Sequence, residues 1–140
     1  MASQATVVVA VGPARRIAMQ DFNWSDLPQE HLNERFSRKF IHGEKIMVAQ
    51  IFLKKGCVVP EHSHDSEQMT LVITGSLRFQ FGAEEKSVGT NQAMNIPCNV
   101  KHSVVALEDT LAYDIFSPIR HDWLAGDDAY LRRSYPDAPL

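Results

Sequence analysis

Two histidines, His62 and His64, stand two residues apart in the stretch PEHSHDSEQMTLVITG, which begins at Pro60. Alternate side chains of a β-strand point to the same face, so this spacing would place both imidazoles on one side of a strand. Two imidazoles on one face can bind a single metal ion, whereas a pair of solvated histidines at a sheet edge is the simpler alternative. The choice between them depends on a third nitrogen ligand.

His102 is the best candidate for that ligand, because it opens another alternating segment, HSVVALE. We expect a strand to follow His64, and on that strand Gln68 and Thr70 share one face. The remaining histidines are weaker candidates, since they lie in a possible helix, in a turn and in the polar C-terminal stretch: His31, His42 and His121.

The segments that must position these residues are short and rich in β-branched and aromatic residues, and turn-forming residues separate them. Six of them follow one another with no helix between: IMVAQIFLKKG, MTLVITG, SLRFQFG, AMNIP, HSVVALE and TLAYDIFSP. This pattern predicts an all-β fold, an antiparallel sandwich or barrel.

With 140 residues and 44% hydrophobic content, the chain is expected to form one domain. We expect residues 1–42 to be an N-terminal segment packed on the barrel, residues 43–125 to be the barrel and residues 126–140 to be a tail. In the N-terminal segment, Ser25 or Asp26 could cap a helix, and Leu32 and Phe36 have helical spacing, which predicts a short helical or irregular stretch.

Charge and cysteine content exclude several classes of function. A formal net charge of −3 argues against nucleic acid as the main partner, and no apolar run is long enough to span a membrane. The N-terminal apolar patch has no basic residues ahead of it and makes a poor signal peptide, so a cytoplasmic location is expected. Cys57 and Cys98 are then expected to be free thiols.

The stretch GCVVPEHSHDSEQMTLVITG resembles the first cupin motif, in which a glycine is followed after five residues by His-x-His, then by an acidic position and a second glycine. PCNVKH resembles the second motif, Pro-x-Gly-x-x-His. Gln68 stands where most cupins have glutamate, and Asn99 replaces a glycine of the second motif in a turn that asparagine tolerates.

The resemblance implies the cupin double-stranded β-helix, a jelly-roll barrel with one divalent metal in its mouth. The implied ligands are His62, His64, Gln68 and His102, with Glu67 as the alternative to Gln68. Three histidine ligands favour Zn, Ni, Fe, Co or Mn without selecting one. A neutral amide in place of a carboxylate leaves the charge of the ion undiminished, which suits Lewis-acid chemistry or an anionic substrate.

A second group of residues lies in YDIFSPIRHDW, where Asp114 and Phe116 would share a face of the last strong strand. A carboxylate alternating with apolar residues is unusual at a core-facing position unless it is paired or functional. Arg120 follows a Ser-Pro turn and could return to the barrel rim. A structural ion pair between Asp114 and Arg120 and a role of both in a site are equally compatible with the sequence.

The segments from Gly43 to Leu124 together resemble the pectin-degradation cupins of the KdgF type, which carry a glutamine ligand and an Asp-x-Phe-Ser-Pro-x-Arg segment. That resemblance implies opening of the ring of 4,5-unsaturated uronate monosaccharides to linear keto sugars. By position, Asp114 would be the general acid and base, Arg120 would bind the substrate carboxylate and Phe116 would form a wall of the pocket.

Two other functions stay open, an iron-dependent dioxygenase and a non-catalytic cupin that binds a metal or an anion. By analogy with small cupins, a homodimer is expected. Several apolar residues could line its interface or simply belong to the core: Trp24, Phe36, Phe40, Ile46 and Phe52.

Overall fold

The computed structural model describes residues 6–10 and 16–136. Within them the chain forms antiparallel strands, a 3-10 helix at Trp24–Asp26 and two short helices. The strands are β1 (Thr6–Ala10), β2 (Arg16–Gln20), β3 (Glu30–Asn33), β4 (Phe36–His42), β5 (Met47–Leu53), β6 (Val58–His62), β7 (Glu67–Thr74), β8 (Ser76–Phe81), β9 (Glu84–Gly89), β10 (Ala93–Ile96), β11 (His102–Ala106) and β12 (Thr110–Ser117); the helices are α1 (His121–Ala125) and α2 (Ala129–Arg132).

Two large sheets form the body of the protein, in the orders β10-β7-β12-β5-β4-β3 and β6-β11-β8-β9, and β1 and β2 pair separately. Strand β5 shows how the sequence specifies them, because buried and partly buried residues alternate along Met47–Leu53. The inward residues of both sheets form one continuous hydrophobic core, which includes Ile51, Val72, Leu77, Phe79 and Val104. The expected all-β architecture is confirmed.

The helical expectation for the N-terminal segment is wrong beyond the 3-10 helix. Leu32 lies on β3 and Phe36 on β4, and both strands belong to the six-stranded sheet. Their spacing of four residues arises because a turn reverses the chain between them, so that both side chains are buried in the same core. The 3-10 helix is capped by Asn23, whose Oδ1 accepts from the Ser25 backbone N–H at 3.0 Å.

Two turns need special backbone conformations. Gly75, between β7 and β8, has φ of 108°, and a Cβ at this position would lie 2.4 Å from the Thr110 side chain and 2.6 Å from the Asp109 carbonyl oxygen. Asn99 has φ of 64°, in the left-handed region, where asparagine is tolerated. This conformation explains why asparagine can stand at a position where the related motif has glycine.

The C-terminal stretch folds back over one end of the barrel; residues 120–133 are called the C-terminal cover below. Its side chains Trp123 and Leu131 are buried in the core. Arg38 of β4 forms a buried ion pair with Asp128 of the cover and a second pair with Glu30 at 2.6 Å. These contacts join the cover to the six-stranded sheet. No helix in the described ranges is both long and apolar enough to cross a membrane.

Candidate metal centre

Three histidines lie close together where β6 and β11 pair at the edge of the four-stranded sheet. His62 ends β6 and His102 begins β11, and the two are paired in the register of these strands. His64 lies just beyond the end of β6, in the loop before β7. One ligand nitrogen from each of the three histidines can be chosen so that all lie within 4.8 Å of one another.

Backbone carbonyl groups orient the three rings. The Nδ1 atoms of His62, His64 and His102 lie 2.7, 2.8 and 2.8 Å from the carbonyl oxygens of Pro60, Ser66 and Val100. A carbonyl only accepts hydrogen bonds, so each Nδ1 must carry the proton, and each neutral ring then has its lone pair on Nε2. This is the tautomer that binds a metal through Nε2.

Burial keeps these rings neutral. Burial, together with the charges of neighbouring histidines and Arg120, lowers the pKa of His62 to about 3 and that of His64 to about 4. The pKa of His102 is also lowered, mainly by burial. The Nε2 of His102 is buried and has no hydrogen-bond partner among the described residues. An unpaired, buried lone pair beside two others fits a divalent metal ion.

Gln68 is turned towards this cluster and Glu67 is not. The Oε1 atom of Gln68 lies 3.1 Å from Nε2 of His64, and its Nε2 donates to the Thr70 hydroxyl at 2.9 Å. With the proton of His64 on Nδ1, two acceptor atoms face each other at that distance, an arrangement that a shared cation would stabilise. Glu67 is exposed, and its carboxylate accepts from Asn95 at 3.2 Å.

Asp114 lies on β12 directly opposite Thr70 of β7. The Thr70 hydroxyl donates to Asp114 Oδ1 at 2.6 Å, so a chain of hydrogen bonds connects Gln68 through Thr70 to Asp114. Burial raises the pKa of Asp114 to about 6, although the Thr70 hydrogen bond and the charge of Arg120 act in the opposite direction. A carboxyl group with such a pKa can both take up and release a proton near neutral pH.

Arg120 does not form the structural ion pair with Asp114 that was one alternative. Its Nε and Nη2 donate to the carboxylate of Asp122 at 2.9 and 2.7 Å, and Nη2 also lies 2.7 Å from the Tyr130 hydroxyl. The guanidinium is buried, and its Cζ lies 5.1 Å from the centre of the Phe116 ring. Asp122, two residues after Arg120, is therefore the ionic partner.

Phe116 is buried and packs edge-on against His64, with ring centres 5.6 Å apart. All of the predicted site residues except His64 line a cavity of about 50 Å³. Its polar and aromatic lining includes His62, Gln68, His102, Asp114, Arg120 and Trp123. A larger surface groove of about 420 Å³ elsewhere on the molecule contains none of these residues.

The residues that the C-terminal cover brings to the site were not predicted from the sequence. The Tyr130 ring lies 5.3 Å from that of His62, and the Trp123 ring lies 5.2 Å from that of Phe116. The sequence indicates their role only weakly, because Trp123 and Tyr130 are two aromatic residues seven positions apart in a mixed helical and polar stretch. Their approach to the histidines depends on contacts with distant strands.

Residues 50–116 match the family model of the Cupin domain. The chain folds as a small cupin. This confirms the expected jelly-roll barrel and, together with the histidine cluster, supports a divalent metal in this cupin. The match ends before Arg120, so the C-terminal cover lies outside it.

Solved structures support the same assignment. This cupin is similar to KdgF from Halomonas sp., with 27% identity, a TM-score of 0.68 and coverage of 73% of this chain and 97% of that one. An RmlC-like cupin from Shewanella frigidimarina has 21% identity and a TM-score of 0.68, covering 73% and 93%. Oxalate decarboxylase from Bacillus subtilis, a protein with Mn(II) centres, has 21% identity and a TM-score of 0.65, covering 74% and 33%. No curated protein matches the chain in sequence.

Proposed function

We propose that this cupin is a metal-dependent enzyme that opens the ring of 4,5-unsaturated uronate monosaccharides, giving linear keto sugars. The observation that carries the proposal is that Asp114, with its raised pKa, lines the same cavity as His62 and His102 of the histidine cluster. The likeness to KdgF, at 27% identity, supports the same reaction.

His62, His64, His102 and Gln68 would hold the ion, three through Nε2 and the fourth through Oε1. All four are uncharged in this arrangement, so the site suits an anionic ligand. When bound, the metal would hold substrate oxygens and withdraw electron density from them.

Asp114 would move the protons. As a carboxylate it takes the proton of the anomeric hydroxyl while the bond between C1 and the ring oxygen breaks, leaving an aldehyde at C1 and an enolate at C5. The protonated Asp114 then returns a proton to C4, and the enolate becomes a ketone. No water or oxidant is consumed, and the Thr70 hydroxyl keeps the carboxyl oriented throughout.

Arg120 would bind the substrate carboxylate. A guanidinium has five N–H donors, and the described hydrogen bonds of Arg120 use only Nε and Nη2. A substrate carboxylate would share Arg120 with Asp122. Phe116, which contacts both Arg120 and His64, would form the apolar wall between the two ends of the substrate.

The size of the cavity adds a condition to this proposal. The space of about 50 Å³ is enough for a few water molecules but not for a sugar ring. Binding of a uronate would therefore need the lining side chains to make room, including Trp123 and Leu131 of the C-terminal cover.

The deciding experiment is to mix purified, metal-loaded protein with a 4,5-unsaturated uronate monosaccharide without oxygen. The ultraviolet absorbance of the conjugated double bond should fall faster than in a control without protein. Loss that needs oxygen would instead favour an iron-dependent dioxygenase, and no acceleration under either condition would refute the ring-opening proposal.

A non-catalytic cupin that binds a metal and a small anion is the second candidate. The small cavity and the neutralisation of Arg120 by Asp122 favour it. Tight binding of the uronate without any change in its absorbance would identify this function.

The remaining expectations about partners and location stay predictions. They are a small anionic ligand, no nucleic acid or membrane partner, a homodimer and a cytoplasmic location. Of the apolar residues considered for a dimer interface, Ile46 is the most accessible, with 53% of its surface exposed, whereas Phe36 belongs to the core.

A further inference from the structure

The indole of Trp123 contains a buried donor without an acceptor. Trp123 is 7% exposed, and its Nε1 has no hydrogen-bond partner among the described residues. Leaving such a group unpaired is unfavourable, so native structures nearly always provide it with a partner. Trp123 also lines the cavity that contains His62, His102 and Asp114.

The indole ring is held firmly in place. The Cζ atom of Arg38 lies 4.1 Å from the ring centre and that of Arg120 lies 5.0 Å from it. Phe40 and Phe116 contact it edge-on, with ring centres 5.7 and 5.2 Å away. A donor fixed in this way loses little conformational entropy when it binds an acceptor.

The missing partner of the indole must be an acceptor, because an indole N–H can only donate. Both guanidinium groups against the ring are paired with carboxylates of the protein, but the described hydrogen bonds of Arg120 leave its Nη1 able to bind an anion beside the indole. We propose that the Nε1–H of Trp123 donates a hydrogen bond to a carboxylate oxygen of the anion bound at the histidine cluster, which makes Trp123 a specificity-determining residue. This inference rests on the proposed function only in requiring an anionic ligand there.

Binding can be followed without turnover because Trp24 and Trp123 are the two tryptophans of the chain. In a zinc-loaded Trp24→Phe variant, the remaining indole N–H signal in a proton–nitrogen NMR spectrum belongs to Trp123. Addition of oxalate or of the unsaturated uronate should shift this signal downfield. An anion that binds without shifting it, or failure of both anions to bind, would overturn the proposal.

A second measurement separates hydrogen bonding from packing. Trp123→Phe removes the N–H and part of the ring, whereas β-(3-benzothienyl)alanine, incorporated at position 123 of the Trp24→Phe chain, keeps the ring shape and replaces N–H by sulfur. Loss of a hydrogen bond to a charged group should weaken anion binding about ten-fold or more in both proteins, as measured by calorimetry. The Trp24→Phe protein, which should bind as the unaltered chain does, is the control.

The outcomes distinguish the two proposals. Weaker binding with phenylalanine but not with the benzothienyl side chain would show a packing role alone and would refute the donor role. If both changes weaken anion binding while the uronate is not converted, the role of Trp123 is supported and the ring-opening function fails. If the uronate is converted and both altered proteins bind the anion with unchanged affinity, the ring-opening function is supported and the role of Trp123 is refuted.

Discussion

At the scale of single residues, the metal centre depends on three backbone carbonyl groups as much as on three histidines. The residues whose carbonyl oxygens accept a hydrogen bond from Nδ1 lie two positions before His62 and His102 and two positions after His64. The spacing of the histidines predicted the cluster. The acceptors could not be predicted in the same way, because every residue has a carbonyl group and only the folded chain determines which one faces a ring.

Asp114→Asn should keep the metal and lose turnover. An amide cannot take the proton of the anomeric hydroxyl, so the rate should fall by about 10²–10⁴-fold. Metal content by elemental analysis and turnover of the unsaturated uronate are the two measurements. His62→Ala is the companion variant, expected to lose both metal and activity. Full activity in Asp114→Asn would rule out its acid–base role.

Gln68→Glu tests the significance of the neutral amide. A carboxylate at this position should bind the divalent ion more tightly, by roughly ten-fold. It should also lower turnover, since the Thr70 hydroxyl would lie between two carboxylates and could donate to only one of them. Competition with a metal chelator measures the affinity, and Glu67→Gln is the control because Glu67 points away from the cluster. Unchanged metal affinity in Gln68→Glu would argue against ligation by Gln68.

At the scale of strands and turns, the alternation of apolar and polar residues predicts a strand correctly where one face of that strand is buried. Met47–Leu53 and the Gln68, Thr70, Val72 face of β7 follow the expected alternation. Leu32 and Phe36 were misinterpreted because two strands joined by a tight turn can give the same spacing as one helical turn. The spacing of two residues along the sequence does not show whether the chain reverses direction between them.

Gly75→Ala should destabilise the fold far more than Gly82→Ala. Both glycines have positive φ, but a Cβ on Gly75 meets the Thr110 side chain and the Asp109 backbone, whereas a Cβ on Gly82 meets nothing within 4 Å. We expect costs of about 3 kcal/mol and about 1 kcal/mol in the free energy of unfolding. Urea denaturation of the two variants gives the comparison. Equal costs would show that the backbone angle, not the contact with β12, limits Gly75.

At the scale of the whole molecule, the C-terminal cover depends on an ion pair between residues that are ninety positions apart, Arg38 and Asp128. The sequence contains both charges, but nothing local indicates that they meet or that both become buried. For the same reason residues 126–140 were predicted only as a tail, and the approach of Tyr130 to His62 was not predicted.

Asp128→Asn should weaken the attachment of the C-terminal cover. Burial raises the pKa of Asp128, but the hydrogen bonds from Arg38 and Arg132 outweigh it, so the pKa is lowered overall. The variant leaves Arg38 with only the partly exposed Glu30 as an ionic partner, at a cost of about 3 kcal/mol in the free energy of unfolding. Thermal denaturation at neutral pH measures this cost, with Asp127→Asn on the exposed side as the control.

The same ion pair should make this difference depend on pH. A carboxyl group whose pKa is lower in the folded state stabilises the fold above its unfolded pKa, and this contribution disappears as the pH falls through the folded pKa. The stability gap between the unaltered chain and Asp128→Asn should therefore be complete at neutral pH and shrink below about pH 4. A gap that stays constant over this range would mean that the charge of Asp128 does not stabilise the cover.

The position of the C-terminal cover at the end of the barrel strands also sets an order of events during protein synthesis. All four proposed metal ligands and all of the barrel strands leave the ribosome before residues 120–133. A newly made chain can therefore bring the three imidazoles together before Trp123 and Tyr130 pack beside them. Metal loading at that stage would meet a more exposed site, whereas a metal lost later would return to histidines partly covered by the Tyr130 ring.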